Sequence, residues 1–153
     1  NYRDIIKEQF DLDMDNIPGS GAAGGLGTAL MVFLNGTLKS GIETVLDLVD
    51  FDEHLKDVDI VVTGEGATDW QSVFGKVMQG VGVHCKKRHI PAVAIVGSMG
   101  SGAEDIFDYG IESIITTVNK IMPLSDALNH AEELYLGAAR RMFRLLKAGM
   151  QMR

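Results

Sequence analysis

Three short β-branched runs, each followed by a helical pattern, constrain this chain more than any other feature. They are "VDIVVTG" from Val58, "IPAVAIVGS" from Ile90 to Ser98, and "IESIITTV" from Ile111 to Val118. Each is short, apolar and without strict alternation, the pattern of a strand buried on both faces. The intervening stretches read as a helix over about 76–88 and a short helix over 103–110 that stops at Gly110. A long final helix follows Pro123, with Ser125 as its N-cap. Strand, helix, strand, helix, strand, helix predicts βαβ units, a parallel sheet and right-handed crossovers. The fold class is therefore α/β.

The residues before this region lack such a strand. Tyr2–Phe10 reads as an amphipathic helix, broken at Pro18 and Gly19. "SGAAGGLGTALMVFLNG" begins rich in glycine and ends apolar, which suggests a loop feeding a helix over Leu26–Leu34. Ile42, Val45, Leu46 and Val49 stand at helical spacing. The chain thus divides into a mostly helical segment, 1–56, and a parallel α/β portion, 57–153. Three parallel strands make a small sheet, so further strands from outside this chain are expected to complete it. The chain begins at Asn1 rather than Met, and a piece of a longer protein is the expectation.

Composition excludes several classes. The net charge is −7 with no long basic run, against the concentrated Lys and Arg that a nucleic-acid binder needs. No apolar stretch approaches the ~20 residues that span a bilayer, and charges interrupt "NYRDIIKEQF", so no signal peptide is read there. Cys85 is the only cysteine; an intrachain disulfide is impossible, and a cytoplasmic setting follows. "HCKKRH" gathers His84, Cys85 and His89, but no second ligand cluster accompanies it. A basic helix end suited to the macrodipole is the simpler reading.

Ligands of open α/β sheets bind beyond the carboxyl ends of the strands. The first strand is expected to end in Gly64-Glu65-Gly66, the second in Gly97-Ser98-Met99-Gly100-Ser101-Gly102, the third near Thr117 and Asn119. Glycines there let the backbone approach a phosphate and offer unshielded N–H groups. The stretch "TGEGATDWQSVFGK" adds Glu65, Asp69, Gln71, Ser72 and Lys76. Plainer roles are open to some of them: Thr68 and Gln71 fit a capping box, Asp69 an N-cap, and Lys76 a solvated helix lysine. "GK" is not a P-loop, because Val77 follows Lys76 and Gly66 lies too far upstream. "GAAGGLG" misses the dinucleotide fingerprint, since no strand precedes it, and no nucleophile elbow is present.

"PGSGAAGGLGTAL", "VDIVVTGEGATDWQSVFGKV" and "PAVAIVGS" together resemble the type I glycerate kinases of bacteria. That resemblance implies ATP- and Mg²⁺-dependent phosphorylation of D-glycerate. It also implies a two-domain enzyme with a flavodoxin-like part, of which this chain would be the C-terminal portion. The N-terminal part of the same enzyme would be its partner, and the chain alone is expected to be inactive. By the resemblance, Gly21, Gly24 and Gly25 belong to the family's glycine block, together with Gly19 and Gly27. Gly64, Glu65 and Gly66 match its G-E-G; Asp69, Gln71 and Ser72 its D-x-Q-[ST]; Gly75 and Lys76 its G-K. Thr68 stands where a larger aliphatic residue is expected, a difference that should alter packing rather than chemistry.

Phosphoryl transfer asks for charge compensation and alignment. Lys76 is the candidate clamp on phosphate or on the glycerate carboxylate. Asp69 is placed first for holding Mg²⁺ through water or accepting the hydroxyl proton, with Glu65 the competing metal carboxylate. Ser72 and Gln71 would orient glycerate hydroxyls, and Ser98 with the Gly97–Gly102 loop would contact nucleotide. A non-catalytic α/β phosphate- or nucleotide-binding module is the alternative, and an exposed sheet edge could drive formation of a homo-oligomer.

Overall fold

A computed structural model describes residues 2–73 and 75–152. They form two compact units, 1–40 and 41–153.

In the first unit, α1 (Tyr2–Phe10) buries Ile6. Arg3 bonds Asp15 at 2.8 Å and Lys7 bonds Asp13 at 2.6 Å, tying the helix to the loop that follows it. The expected glycine-rich loop and apolar helix are one kinked element, α2 (Ala22–Leu34). Ala23, Gly24 and Gly25 have φ of 51°, 68° and 90°. This left-handed step is open to glycine and costly for most residues. Regular helix resumes near Leu26, and Phe10 packs edge-on against Phe33 at 5.4 Å.

The second unit opens with α3 (Gly41–Leu48) and α4 (Phe51–His54). The single helix expected there is broken at Asp50, where φ is 50°. The remaining elements are β1 (Val61–Thr68), α5 (Val77–Lys87), β2 (Ala92–Met99), β3 (Ile111–Thr116), α6 (Leu124–Asn129) and α7 (Ala131–Met150). Short 3₁₀ turns at Trp70–Val73 and Ala103–Tyr109 stand between them. The sheet has order β1-β2-β3 and both pairings are parallel, with Val61 opposite Ala92 and Val93 opposite Ser113. The α/β class and the three-stranded parallel sheet expected from sequence are both present.

Alternation along β2 builds three layers. Ala92, Ala94 and Val96 join one cluster with Met78, Val81 and Cys85 of α5, and with Leu46 and Leu55. Val93 and Ile95 face the other way, onto Ala138 and Met142 of α7. Opposite faces of one strand thus hold opposite helical layers, which is why β2 reads as a continuous apolar run. Because Leu46 and Leu55 belong to this core, Gly41–Lys56 packs with the sheet. The compact units divide at 40/41.

Three local expectations are corrected. β1 starts at Val61 and runs on to Thr68, so Gly64-Glu65-Gly66 lies inside the strand and not at its end. The element at 103–109 is a 3₁₀ helix. The final helix is two, parted at His130 (φ −111°, ψ 22°), and Pro123 occupies the N-cap position. Ser125 is inside α6, its hydroxyl 3.5 Å from Asp126 Oδ1.

Candidate functional site

The continuation of β1 past Gly64 shapes the site. A Cβ on Gly64 would lie 2.2 Å from the Ile95 carbonyl oxygen, and one on Gly97 2.2 Å from that of Gly66. Neither obstacle is a movable side chain, so only glycine permits this approach of β1 to β2. The glycines thus serve the strand pairing itself, and they also leave its surface bare. An open groove of about 480 Å³ runs over that surface. Its floor is Thr63 to Gly66 with Gly97, and its walls include Thr117 and Tyr135. Glu65 is half-buried and carries the acidic group of this floor.

Beyond the strand, two loops are laced together. Gly100 N–H donates to Thr68 O at 2.7 Å, and Trp70 N–H to Ser101 O at 3.0 Å. Asp69 Oδ1 accepts the Gln71 amide at 2.8 Å and so caps the 3₁₀ turn, as one of the plainer readings expected. Ser72 is fully buried. Its hydroxyl accepts from Thr68 Oγ1 at 3.0 Å and from the Asp69 amide at 3.3 Å, and donates to Glu65 Oε2 at 3.3 Å. Glu65 thereby keeps one oxygen with no hydrogen bond among the described residues.

The structure brings Gly64, Glu65, Gly66, Asp69, Gln71 and Ser72 into one connected region. Lys76 is exposed at the N-cap of α5 in extended conformation; its carbonyl accepts from the Gly80 amide at 3.1 Å, and its ammonium has no hydrogen bond or ion pair among the described residues. Its neighbour Gly75 (φ 74°) donates its amide to Gln79 Oε1 at 2.6 Å. Ser98 is exposed on β2 opposite Ala67. Gly21, Gly24 and Gly25 belong to the first unit. Glu65 lines the groove, and Asp69 is not among its lining residues. Ser72 is fully buried, with its hydroxyl engaged three ways.

Thr117, expected at the end of the third strand, follows β3 and lines the groove. Sequence reasoning missed Tyr135, which reaches the groove because α7 packs on the sheet. It also missed a second polar cluster in this unit. His84 Nδ1 lies 2.9 Å from Asp52 Oδ1 and Nε2 lies 3.0 Å from Glu43 Oε2. Carboxylates only accept, so both ring nitrogens donate and the ring is an imidazolium. Burial opposes that charge, but the hydrogen bonds to Asp52 and Glu43 outweigh it and raise the His84 pKa. The Arg88 guanidinium and then His84 hold the Asp52 carboxyl down at about 2. His84 therefore pins α3 and α4 to α5, where sequence suggested only a basic helix end. Cys85 beside it is buried, which pushes its thiol pKa up and keeps it unreactive.

Mg²⁺ takes one or two carboxylates plus phosphate oxygens rather than an all-protein cage. Among the described residues no group of three or more His, Cys, Asp or Glu side chains converges on a metal-sized space. Glu65, with a free oxygen in an open groove, fits the first of these modes.

Fold and groove together define an α/β architecture with an acid on a glycine floor. A sequence profile described as the glycerate kinase family matches residues 1–147. The chain belongs to that family. It is 42% identical over 142 residues to a glycerate kinase of Halalkalibacterium halodurans, covering 93% of this chain and 37% of that protein. It is 38% identical over 151 residues to the glycerate 2-kinase of Escherichia coli, covering 99% and 40%. A crystal structure of a candidate glycerate kinase 2 from Salmonella typhimurium LT2 superposes with a TM-score of 0.70 at 36% identity, covering 98% of this chain and 38% of that one. The chain thus spans about two fifths of the length of these relatives. Among the described residues no helix is long and apolar enough to cross a membrane.

Proposed function

We propose that this chain supplies part of the ligand cleft of an ATP-dependent kinase acting on D-glycerate, within a longer protein. The observation that carries the reading is a coincidence. The family's distinctive stretch, which runs from Thr63 to Lys76, supplies Thr63 to Gly66 to the floor of an open groove and ends at the N-cap of α5.

The chemistry asked of these residues is modest. A phosphoryl group in transfer spreads negative charge over its oxygens, and the protein offsets and aligns it. Mg²⁺, when bound, would supply positive charge that offsets that of the phosphate. Glu65 would hold it through the oxygen that Ser72 leaves free. Lys76, without a protein partner and preceding a helix N-terminus, would clamp an anion, either phosphate or the glycerate carboxylate. Asp69 keeps one carboxylate oxygen beyond its cap for a water or a substrate hydroxyl. Gln71 is exposed and would orient a glycerate hydroxyl; Ser98 would meet the nucleotide. The bare backbone at Gly64, Gly66 and Gly75 leaves room for phosphate. Gly21, Gly24 and Gly25 lie in the first unit and would form an anion-accepting turn there.

The test is Lys76→Ala in the intact protein with ATP, Mg²⁺ and glycerate. Loss of a charge-compensating group is expected to lower kcat/KM by about 10²-fold. An unchanged kcat/KM would remove Lys76 from the site. The isolated chain is expected to show no turnover, because the remainder of the cleft would lie outside it.

A further inference from the structure

Thr68 was expected to matter for packing alone, yet it is a fully buried residue with a directed hydroxyl. In a capping box that hydroxyl would take the backbone amide of residue 71. That amide is already held by Asp69 Oδ1 at 2.8 Å. Thr68 Oγ1 instead donates to Ser72 Oγ at 3.0 Å. A serine hydroxyl has one proton and two lone pairs. At Ser72 the Thr68 hydroxyl and the Asp69 amide fill both acceptor positions, which leaves the single proton for Glu65 Oε2. This last link, at 3.3 Å, is as long as the one from the Asp69 amide, and it is the one that depends on where the Ser72 proton points.

We propose that Thr68 is a positioning residue. Acting through Ser72, it directs a proton at Glu65 and so holds that carboxylate with its other oxygen open to the groove. Hydrogen bonds in such a chain polarise one another, so the first donor strengthens the last link. The functional consequence rests on the kinase reading of the groove; the positional claim does not.

The experiment uses the intact protein with Thr68→Val, which keeps the shape and removes the donor, Thr68→Ser, which restores the donor, and Glu65→Gln. Crystal structures of the first two decide the positional claim without any assay. Glu65 is expected to leave its place against Ser72 in Thr68→Val and to keep it in Thr68→Ser. A Glu65 carboxylate unmoved in Thr68→Val overturns the proposal. Where glycerate turnover is present, Thr68→Val is expected to lower kcat about threefold to tenfold. Thr68→Ser should recover most of that loss. In a Glu65→Gln background Thr68→Val should cost nothing further; a fully additive loss there also overturns the proposal. Absence of turnover in the parent protein would sink the kinase reading and leave the crystallographic result to decide this one.

Discussion

Two carboxylate clusters in the same unit are handled in opposite ways. Around His84, Glu43 and Asp52 meet an imidazolium, and Arg88 adds a second cation at 3.1 Å. Around Ser72, Glu65 meets a neutral hydroxyl and, among the described residues, keeps its other oxygen free. Carboxylates matched by cations brace three helices and have little left to offer a ligand. A carboxylate held in place by neutral donors is oriented and still carries its full charge. That difference separates the acids that support the fold from the one that lines the groove.

The comparison can be broken most sharply at the groove. Glu65→Gln keeps the shape and removes the charge, and is expected to lower the kcat/KM of the intact protein by about 10²-fold, with little change in thermal stability. Activity kinetics beside a melting curve check both halves; a large fall in melting temperature with intact turnover would place Glu65 with the bracing acids. Next in size is Gly64→Val. Its Cβ would enter the Ile95 carbonyl at 2.2 Å, where the backbone cannot yield, so β1 should separate from β2 at a cost of about 3 kcal/mol. Denaturant midpoints measure that loss.

At the bracing cluster, His84→Ala should destabilise by about 1–2 kcal/mol and leave ligand affinity alone. The side chains of Glu43 and Asp52 are 48% and 51% exposed, so water screens what the imidazolium had balanced. The same cluster sets a pH window. Because the His84 pKa is raised in the fold, its contribution is complete below the ordinary value of 6.5 and is lost as pH climbs through the raised one. Asp52 has the opposite sign. Its contribution is complete above 3.8 and is lost as pH falls toward about 2. The denaturation midpoint is therefore expected to plateau between those limits and to decline on each side, and His84→Ala should remove the alkaline decline. The smallest effect belongs to Arg88→Ala. Its exposed pairing with Asp52 is worth under about 1 kcal/mol, read from the same midpoints.

Much of the fold was legible because burial on both faces leaves a mark in sequence. The apolar run in β2 announced a central strand, and the helices between the runs announced parallel pairing. Helix breaks were harder. Asp50 in left-handed conformation and His130 off helical geometry carry no strong punctuation in the sequence. The extent of β1 was misjudged because Gly64 and Gly66 look like a turn, whereas Gly64, with Gly97 of β2, lets the two strands come close. The candidate site was legible as a stretch but not as a geometry. Glu65 and Ser72 were visible as polar residues near a strand; which acid would face the groove, and which hydroxyl would face inward, was not.

Sequence by itself determined the class of the chain: its strand and helix order, its parallel pairing and the polar block that marks its family. Those are local or periodic properties, written in side chains along one short stretch at a time. Tertiary structure alone decided that His84 would find Glu43 and Asp52, that Tyr135 would wall a groove floored by Gly64 and Gly66, and that Thr68 would point its proton at Ser72. Each of these depends on where several separately formed elements come to rest in three dimensions, and on buried polar groups having to find a partner wherever that packing leaves one.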